Sequence, residues 1–253
     1  MSLSSTNRDG VLIITLDEPE RRNPLGHPVR KALVSMLSAA EADASVGAVV
    51  LTGAGGHFSA GGDIRDQKSV ETVIGARDRF LVIKELIGRM VRFPKPLVSA
   101  VEGWAAGGGL SLAIACETVV AADTARFAAS FGAIGLVPDL GILATLSARV
   151  GQGRAQRILL DAARLDAAEA HRLGIVDHLT GEGEALERAM EIAREAMRAA
   201  PLPRALIKDY FAAEVDRALD FERQVQPFLM LSADAKEGRE AFFEKRAPVF
   251  QGK

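Results

Sequence analysis

The sequence reads GAGGHFSAGGDI at residues 53–64 and GWAAGGGLS at residues 103–111. Each stretch follows a short apolar run, Ala48–Thr52 or Pro96–Val101, that predicts a strand, and each precedes a helical pattern. Glycine at such a turn lets the backbone adopt positive φ and approach a ligand closely. The exposed N–H groups of such turns can bind an anion or an oxyanion. Taken alone, each stretch is equally consistent with a tight turn that binds nothing.

Neither glycine stretch matches a nucleotide-binding motif. The Gly-x-Gly-x-x-Gly spacing with its acidic residue on the next strand is not met, and no Lys-Ser or Lys-Thr pair follows as in a P-loop. Gly107–Gly109 stand where a helix is predicted to begin, and inside a helix each glycine costs roughly 1 kcal/mol relative to alanine. That cost indicates close packing or a ligand at this position.

Strands and helices alternate through the first part of the chain. Six strands are predicted, at Val11–Leu16, Ala48–Thr52, Pro96–Val101, Thr118–Ala122, Phe127–Ser130 and Ile175–Leu179. Helical spacing of apolar residues occurs at His27–Ala42, Gly107–Ala115, Ile142–Val150, Arg154–Asp161, Ala167–Leu173 and Glu182–Ala200. This alternation is typical of an α/β fold with crossover connections.

The C-terminal part has a different pattern. Pro201–Leu202–Pro203 interrupts the chain, and Arg204–Arg246 is continuously helical in its apolar spacing. We therefore predict an α/β core at residues 1–196 and a helical subdomain at residues 197–253. These helices have apolar faces and little core of their own, which favours a role in oligomer contacts.

Composition excludes several kinds of partner. Of the 253 residues 48% are hydrophobic and 25% charged, with a net charge of −2, so no basic field predicts nucleic acid or membrane binding. No apolar stretch is long enough to span a bilayer. The single Cys116 cannot form an internal disulfide and is interpreted as a small buried side chain. Met1–Gly10 shows no targeting pattern, and we expect a cytoplasmic protein.

In this order and separation, the two glycine stretches resemble the enoyl-CoA hydratase/isomerase (crotonase) family. FSAGGDI at 58–64 resembles the first oxyanion-hole segment of the family, and AAGGG at 105–109 resembles the second. The resemblance continues through FGAIGLVPD at 131–139, AAEAHRLGIVD at 167–177 and EGREAFFEKR at 237–246. It implies a spiral of ββα turns whose C-terminal helices complete a homotrimer or a hexamer.

The resemblance also implies a site for an acyl-CoA thioester. The backbone N–H groups of Ala60 and Gly108 would stabilise the enolate oxygen of the thioester, and each such donor is typically worth about 2.7–4 kcal/mol. Phe242 and Lys245 match positions that reach the CoA of a neighbouring subunit. The residues implied in substrate and CoA binding are Arg22, Pro24, Ala60, Gly61, Gly62, Asp63, Ile64, Gly108, Phe242 and Lys245.

The catalytic carboxylates depart from the hydratase pattern. Family hydratases use two glutamates, at positions that Ser111 and Phe131 occupy in this chain. The remaining acid is Asp139, whose position resembles that of the acidic residue in the family's enoyl-CoA isomerases and ring-epoxide isomerases. One carboxylate suffices to move a proton between C4 and C2, and an apolar pocket would raise its pKa toward neutrality. Asp139 could instead be the N-cap of the following helix, or serve in both ways.

We therefore expect an isomerase that shifts a double bond in an enoyl-CoA. The alternatives are an atypical hydratase or another lyase or hydrolase of the family, and an acyl-CoA-binding protein without catalysis. We expect no metal and no redox cofactor. Asp63 is interpreted as orienting the first glycine turn, and His57 as an exposed loop residue. The acyl pocket is expected near Phe80, Trp104, Phe131 and the stretch Arg65–Phe93.

Overall fold

Nine strands form the sheets in the described part of the chain. The computed structural model describes residues 2–67 and 72–253 of the chain. The strands are β1 (Leu3–Arg8), β2 (Val11–Leu16), β3 (Ala48–Gly53), β4 (Leu97–Val101), β5 (Trp104–Ala106), β6 (Thr118–Ala122), β7 (Arg126–Ala128), β8 (Arg164–Asp166) and β9 (His178–Thr180). The main sheet has the order β1-β2-β3-β4-β6-β9, and β5-β7-β8 form a second, smaller sheet. All pairs are parallel except β1-β2 and β7-β8.

The central strands are apolar on both faces because helices cover both. One cluster of buried side chains on the main sheet includes Ile14, Val49 and Leu51, and lies against the helices that follow the early strands. A smaller cluster, with Val50 and Val98 among its members, packs against the helix at residues 185–196. Continuous apolar runs are the expected signature of a parallel sheet covered on both sides.

Three of the described strands, β1, β5 and β8, were not predicted, and each omission has a physical reason. In β1 only Leu3 is buried, so this edge strand shows no apolar alternation and is held by its antiparallel ladder to β2. β5 and β8 have three residues each, too few for a periodic pattern. The strand predicted at Ile175–Leu179 is displaced to His178–Thr180.

Over residues 2–67 and 72–253, ten α-helices connect and cover the sheets. They are α1 (His27–Ala42), α2 (Ile64–Gln67), α3 (Val73–Arg92), α4 (Gly108–Ile114), α5 (Ile142–Val150), α6 (Gln152–Leu160), α7 (Ala167–Leu173), α8 (Ala185–Ala196), α9 (Pro201–Met230) and α10 (Ala233–Glu244). Short 3₁₀ turns occur at Pro19–Arg21 and Gly132–Ile134. The mixed α/β architecture with a helical C-terminal region agrees with the predicted fold class.

The C-terminal region is not one continuous helix, as the pattern predicted, but two. Pro201 occupies the first turn of α9, where its missing N–H removes no helical hydrogen bond. Helix α9 ends at Met230. Ser232 is the N-cap of α10, and its side-chain oxygen accepts the Ala235 N–H at 3.0 Å. The apolar spacing continues across the break, which is why the sequence pattern missed it.

Helix α9 packs along α3 and is tied to it by ion pairs. Arg92 pairs with Asp209 and Asp216, and Lys84 pairs with Asp220. The C-terminal helices therefore lie against the α/β core of their own chain. The predicted division at residues 196 and 197 stays a prediction. None of the helices in the described parts of the chain combines the length and hydropathy needed to cross a membrane.

Candidate active site

The two glycine turns lie side by side and are joined by backbone hydrogen bonds. Ser59 N–H donates to Trp104 O at 2.9 Å, and Ala106 N–H donates to Ser59 O at 3.0 Å. His57 adds a third link, because its Nδ1 accepts the Trp104 N–H at 3.2 Å. Half-buried His57 thus joins the turns, which corrects its interpretation as an exposed loop residue.

Close backbone approach explains two of the glycines. Gly61 has φ +93°, and a Cβ there would collide with Ala106 O. A Cβ on Gly109 would lie 2.5 Å from Ser59 O. Both approaches, at Gly61 and at Gly109, are far closer than van der Waals contact. Any side chain at these positions would therefore push the two turns apart.

The oxyanion donor predicted at Ala60 is already used inside the protein. Ala60 N–H donates to Arg22 O at 2.7 Å, and Leu25 N–H donates to Gly61 O at 2.7 Å. The segment before α1 therefore pairs with the first glycine turn like a neighbouring strand. The prediction for Ala60 is wrong in this structure, because the resemblance identified the loop but not which of its N–H groups stays free.

Gly62 takes the place of Ala60 as the free donor beside Gly108. Neither N–H has an acceptor among the described residues. The two groups are neighbours, since a Cβ on Gly108 would lie 3.5 Å from Gly62 N. Gly108 is also the first residue of α4, where the backbone N–H has no partner within the helix. Two neighbouring free N–H groups are the donor set that an oxyanion hole requires.

These donors line a large groove of about 810 Å³. Of the predicted binding residues, the groove contains Pro24, Ala60, Gly62, Asp63, Ile64, Gly108, Phe242 and Lys245. Arg22 is exposed and lies outside this lining. Gly61 lies behind it, with its carbonyl bonded to Leu25. The volume falls in the range of roughly 300–1,000 Å³ that is typical of small-molecule sites.

Phe242 and Lys245 lie on the groove of their own chain. The contact with the CoA of a neighbouring subunit that the resemblance implied stays a prediction. The position of both residues follows from the packing of α10, which is close enough to the 3₁₀ turn that a Cβ on Gly238 would lie 2.6 Å from the Ile134 carbonyl carbon. Helix α10 thus places Phe242 at the rim, where 56% of its surface is exposed.

The groove carries more cationic than anionic side chains. Its cations are Arg21, Arg65, Arg164, Lys245 and Arg246. Arg21 is paired with Glu18 and Asp63, and Arg246 with Glu237 and Glu244. Within residues 2–67 and 72–253 the other three form no ion pair. They are available to bind phosphate groups such as those of CoA.

Asp139 lies at the inner end of the groove. The residue is half-buried and lines the groove. Burial raises the pKa of Asp139 to about 6, and the charge of Arg30 together with a hydrogen bond from Gln226 limits the rise. The N-cap alternative is wrong, because α5 begins at Ile142 with Gly141 as its cap residue and no side-chain cap bond.

Two buried side chains of α9 hold the turn that carries Asp139. Both oxygens of Glu222 accept the Gly141 N–H, at 3.0 and 3.2 Å. One helical turn later, Gln226 donates to Val137 O at 2.8 Å and accepts Val137 N–H at 3.1 Å. Both side chains belong to residues with 0% exposure. Burial, followed by the charge of Asp139, raises the pKa of Glu222 to about 9, so Glu222 is a neutral acid near pH 7.

Arg30 completes the surroundings of Asp139. It lies in α1, is 7% exposed, and its Nε has no hydrogen-bond partner. Burial lowers the pKa of Arg30 to about 10, which still leaves it charged at neutral pH. Arg30, Phe80, Gln226 and Asp139 line an inner cavity of about 30 Å³ that shares Asp139 with the groove.

Arg30, Glu222 and Gln226 were not predicted as site residues. Arg30 follows an ordinary amphipathic spacing in α1, and the two α9 residues lie more than 80 positions beyond Asp139. A sequence signal existed only in the charged and polar side chains that interrupt otherwise apolar helix faces. That signal cannot be assigned to a site before the helices are packed together.

The hydratase glutamate positions hold no acid in this structure. Ser111 is fully buried, and its Oγ donates to the Asp139 carbonyl at 2.9 Å. Phe131 is buried and lines the groove. Phe80 lines the inner cavity, as expected for the acyl pocket, whereas Trp104 lies in β5. Residues 68–71 of the stretch Arg65–Phe93 lie outside the described part of the chain.

Two further candidates are structural. Burial raises the pKa of the Cys116 thiol to about 12, which agrees with its interpretation as a buried apolar side chain rather than a nucleophile. Asp63 pairs with Arg21 at 2.8 Å and accepts the Arg65 N–H at 3.0 Å, so it orients the first glycine turn. Over the described ranges, no group of three or more His, Cys, Asp or Glu could hold a metal ion.

This chain, with its two glycine turns and the acidic Asp139 on one groove, is similar to known proteins. The sequence profile of enoyl-CoA hydratase/isomerase matches residues 6–253. The chain belongs to the enoyl-CoA hydratase/isomerase family. A crystal structure of an enoyl-CoA hydratase from Mycobacterium avium subsp. paratuberculosis K-10 superposes with a TM-score of 0.89 at 32% identity, covering 99% of both chains. The fold and the family predicted from the sequence are thereby confirmed.

Relatives within the enoyl-CoA hydratase/isomerase family differ in the reaction that they are named for. The 1,2-epoxyphenylacetyl-CoA isomerase of Escherichia coli strain K12 is 34% identical over 252 residues, 96% of either chain. The 2,3-dehydroadipyl-CoA hydratase of the same strain is 32% identical over 247 residues, again 96% of either chain. Membership in this family identifies an acyl-CoA enzyme. Relatives named as an isomerase and as a hydratase are similarly identical to this chain.

Proposed function

We propose that this chain is an enoyl-CoA isomerase in which Asp139 carries a proton between C2 and C4 of the acyl chain. Asp139 removes a C2 proton from a 3-enoyl-CoA, and the electron pair delocalises over C2–C4 and the thioester oxygen. The N–H groups of Gly62 and Gly108 stabilise the negative oxygen. Asp139 then returns the proton to C4, which leaves a 2-enoyl-CoA and the carboxylate in its starting state.

The observation that carries this proposal is the position of Asp139, a carboxylate that forms no ion pair within the described residues, where the groove meets the inner cavity. Asp63 also lines both the groove and the inner cavity, but its carboxylate forms an ion pair with Arg21. A pKa of about 6 keeps most of Asp139 ionised at pH 7 while allowing it to hold a proton in transit. Ser111 and Phe131 provide no second carboxylate to orient a water, which favours isomerisation over two-carboxylate hydration.

The second candidate is hydration with Asp139 as the single base. It is supported by relatives named as hydratases, one of them 32% identical. A third candidate, an acyl-CoA-binding protein without turnover, follows from the absence of acids at positions 111 and 131. The three candidates differ in what happens to solvent hydrogen and oxygen.

The test is ¹H NMR of 3-enoyl-CoA and 2-enoyl-CoA in D₂O, with wild type and with Asp139→Asn. Double-bond migration with deuterium at C2 or C4, lost in the variant, is the expected result. A parallel incubation in ¹⁸O-labelled water distinguishes hydration, because only hydration or hydrolysis incorporates oxygen. Tight binding without any exchange, in both proteins, would contradict the isomerase and favour a binding protein.

A further inference from the structure

The inner cavity is more polar than a site for a plain hydrocarbon chain. Five of its lining side chains are charged or polar, namely Arg30, Asp63, Arg79, Asp139 and Gln226. The other lining residues are glycine or apolar. A hydrocarbon chain gains free energy only from apolar contacts, and it would separate the polar groups from any hydrogen-bonding partner. This wall composition suits an acyl chain that carries a polar atom.

Arg30 is the donor in this wall that the protein does not satisfy. Asp63 is paired with Arg21, Arg79 with Asp66, and Gln226 with the Val137 backbone. Arg30 is more than nine-tenths buried, and in the described ranges its guanidinium donates no hydrogen bond, which leaves the fully buried Nε without an acceptor. Buried donors without acceptors are rare and destabilising, so this one requires an explanation.

Size and charge limit what can satisfy Arg30. The cavity volume of about 30 Å³ exceeds the roughly 10–15 Å³ that one water molecule needs. It therefore has room for a small polar group at the end of an otherwise apolar chain. Asp139 lines the same cavity and offsets the charge of Arg30, so a second anion would leave an uncompensated negative charge there.

We propose that Arg30 recognises an uncharged oxygen on the acyl chain of the substrate, such as a hydroxyl, carbonyl or ring ether oxygen. The substrate class is then an oxygenated acyl-CoA rather than a plain fatty acyl-CoA. This inference rests on the proposed function, because the acyl chain must follow the groove past Asp139 to reach Arg30. A hydrogen bond from a charged donor to this oxygen corresponds to roughly a 10- to 100-fold difference in Kd.

Binding of saturated acyl-CoA analogues tests the proposal without any turnover. Isothermal titration calorimetry compares hexanoyl-CoA with its 4-, 5- and 6-hydroxy derivatives, and heptanoyl-CoA serves as the methyl counterpart of the 6-hydroxy compound. In wild type, at least one hydroxy derivative should bind 10- to 100-fold more tightly than the plain chains. Arg30→Met should abolish this preference and Arg30→Lys should keep part of it. Lys31→Met, an exposed change on the same helix, should leave it intact.

Three results would overturn the assignment of an uncharged oxygen to Arg30. These are equal binding of all analogues by wild type, a preference that survives in Arg30→Met, and a stronger preference for adipyl-CoA, whose terminal group is a carboxylate. Far-ultraviolet circular dichroism shows whether Arg30→Met is folded, and Arg30→Gln replaces it if it is not. Since no double bond needs to move, a failed isomerase test and a failed oxygen preference are separate results.

Discussion

The two halves of the site are built in different ways. The oxyanion half consists of the glycine turns at residues 53–64 and 103–111, which hold each other through backbone hydrogen bonds. The carboxylate half is the turn at residues 136–141 with Asp139. It is held by Glu222 and Gln226, two buried side chains of α9 that lie more than 80 positions beyond Asp139. The oxyanion half is held mainly by backbone hydrogen bonds, and the carboxylate half by side chains of another helix.

This difference predicts different sensitivities to substitution. In the oxyanion half, the absence of side chains is the functional property, so any added Cβ disturbs it. In the carboxylate half, the turn depends on polar contacts that one truncation removes, while an isosteric replacement keeps them. Substitutions in both halves can therefore test whether the comparison holds.

The largest effect is expected from Gly108→Ala in the oxyanion half. The new Cβ would lie 3.5 Å from Gly62 N and 3.2 Å from the Leu140 side chain, in the space between the two donors. Loss of one oxyanion donor lowers kcat by about 10²–10³-fold. Steady-state kinetics with 3-enoyl-CoA measures this, and Gly153→Ala, which meets no atom within 4 Å, is the control. Unchanged kcat in Gly108→Ala would show that the thioester oxygen does not lie in the space that this Cβ enters.

The next largest effect is expected from Glu222→Ala in the carboxylate half. The Gly141 N–H would lose its buried acceptor, which should lower the free energy of unfolding by about 1–3 kcal/mol and reduce kcat through misplacement of Asp139. Denaturant unfolding and kinetics measure the two effects. Glu214→Ala, at an exposed ion pair of the same helix, should change stability by less than about 1 kcal/mol. Equal losses in the two variants would mean that α9 does not hold this turn through Glu222.

Glu222→Gln sharpens the same prediction through its pH dependence. The pKa of Glu222 is about 9 in the folded protein and about 4.3 when unfolded. Its stabilising contribution is therefore fully present below pH 4.3 and is lost as the pH rises through 9. The Gln variant lacks this loss, so its stability relative to wild type should increase between pH 5 and pH 9 in denaturant unfolding. A constant difference across this range would mean that Glu222 is ionised when buried.

A smaller effect is expected from the ionisation of Asp139. Only the carboxylate accepts a proton, so kcat/KM should fall about tenfold per pH unit below a pKa of about 6 and be level above it. Arg30→Met removes a positive charge that lowers this pKa, so the inflection should move to higher pH. A pH–rate profile measures both, and Lys31→Met provides the matched control. An inflection that moves to lower pH in Arg30→Met would contradict the assignment.

The smallest effect is expected from Ser111→Ala, at the contact between the two halves. Ser111 lies in α4 behind the second glycine turn, and its Oγ donates to the Asp139 carbonyl at 2.9 Å. Loss of this bond should reduce stability by about 1 kcal/mol and leave kcat within a few-fold of wild type. Denaturant unfolding and kinetics check this. A loss of activity as large as that of Gly108→Ala would show that the halves depend on each other.

Prediction from the sequence succeeded where the relevant pattern is local. Gly108 and Asp139 were predicted because their segments resemble segments of the family, and both residues line the groove. Ala60 was wrong by two positions, because the choice of free N–H depends on pairing with Arg22 and Leu25. Arg30 and Glu222 were missed because a polar residue on a helix has no assigned neighbour before the helices pack.

The sequence by itself determined the α/β alternation, the two glycine turns, the family and the absence of acids at positions 111 and 131. These features depend on residue type and short-range spacing, which folding does not change. Only the tertiary structure decided that Gly62 rather than Ala60 has a free N–H, that α9 holds Asp139, and that Arg30 lies unpaired beside it. These outcomes depend on distances between segments far apart in the chain, and such distances are set by the packing of the whole core.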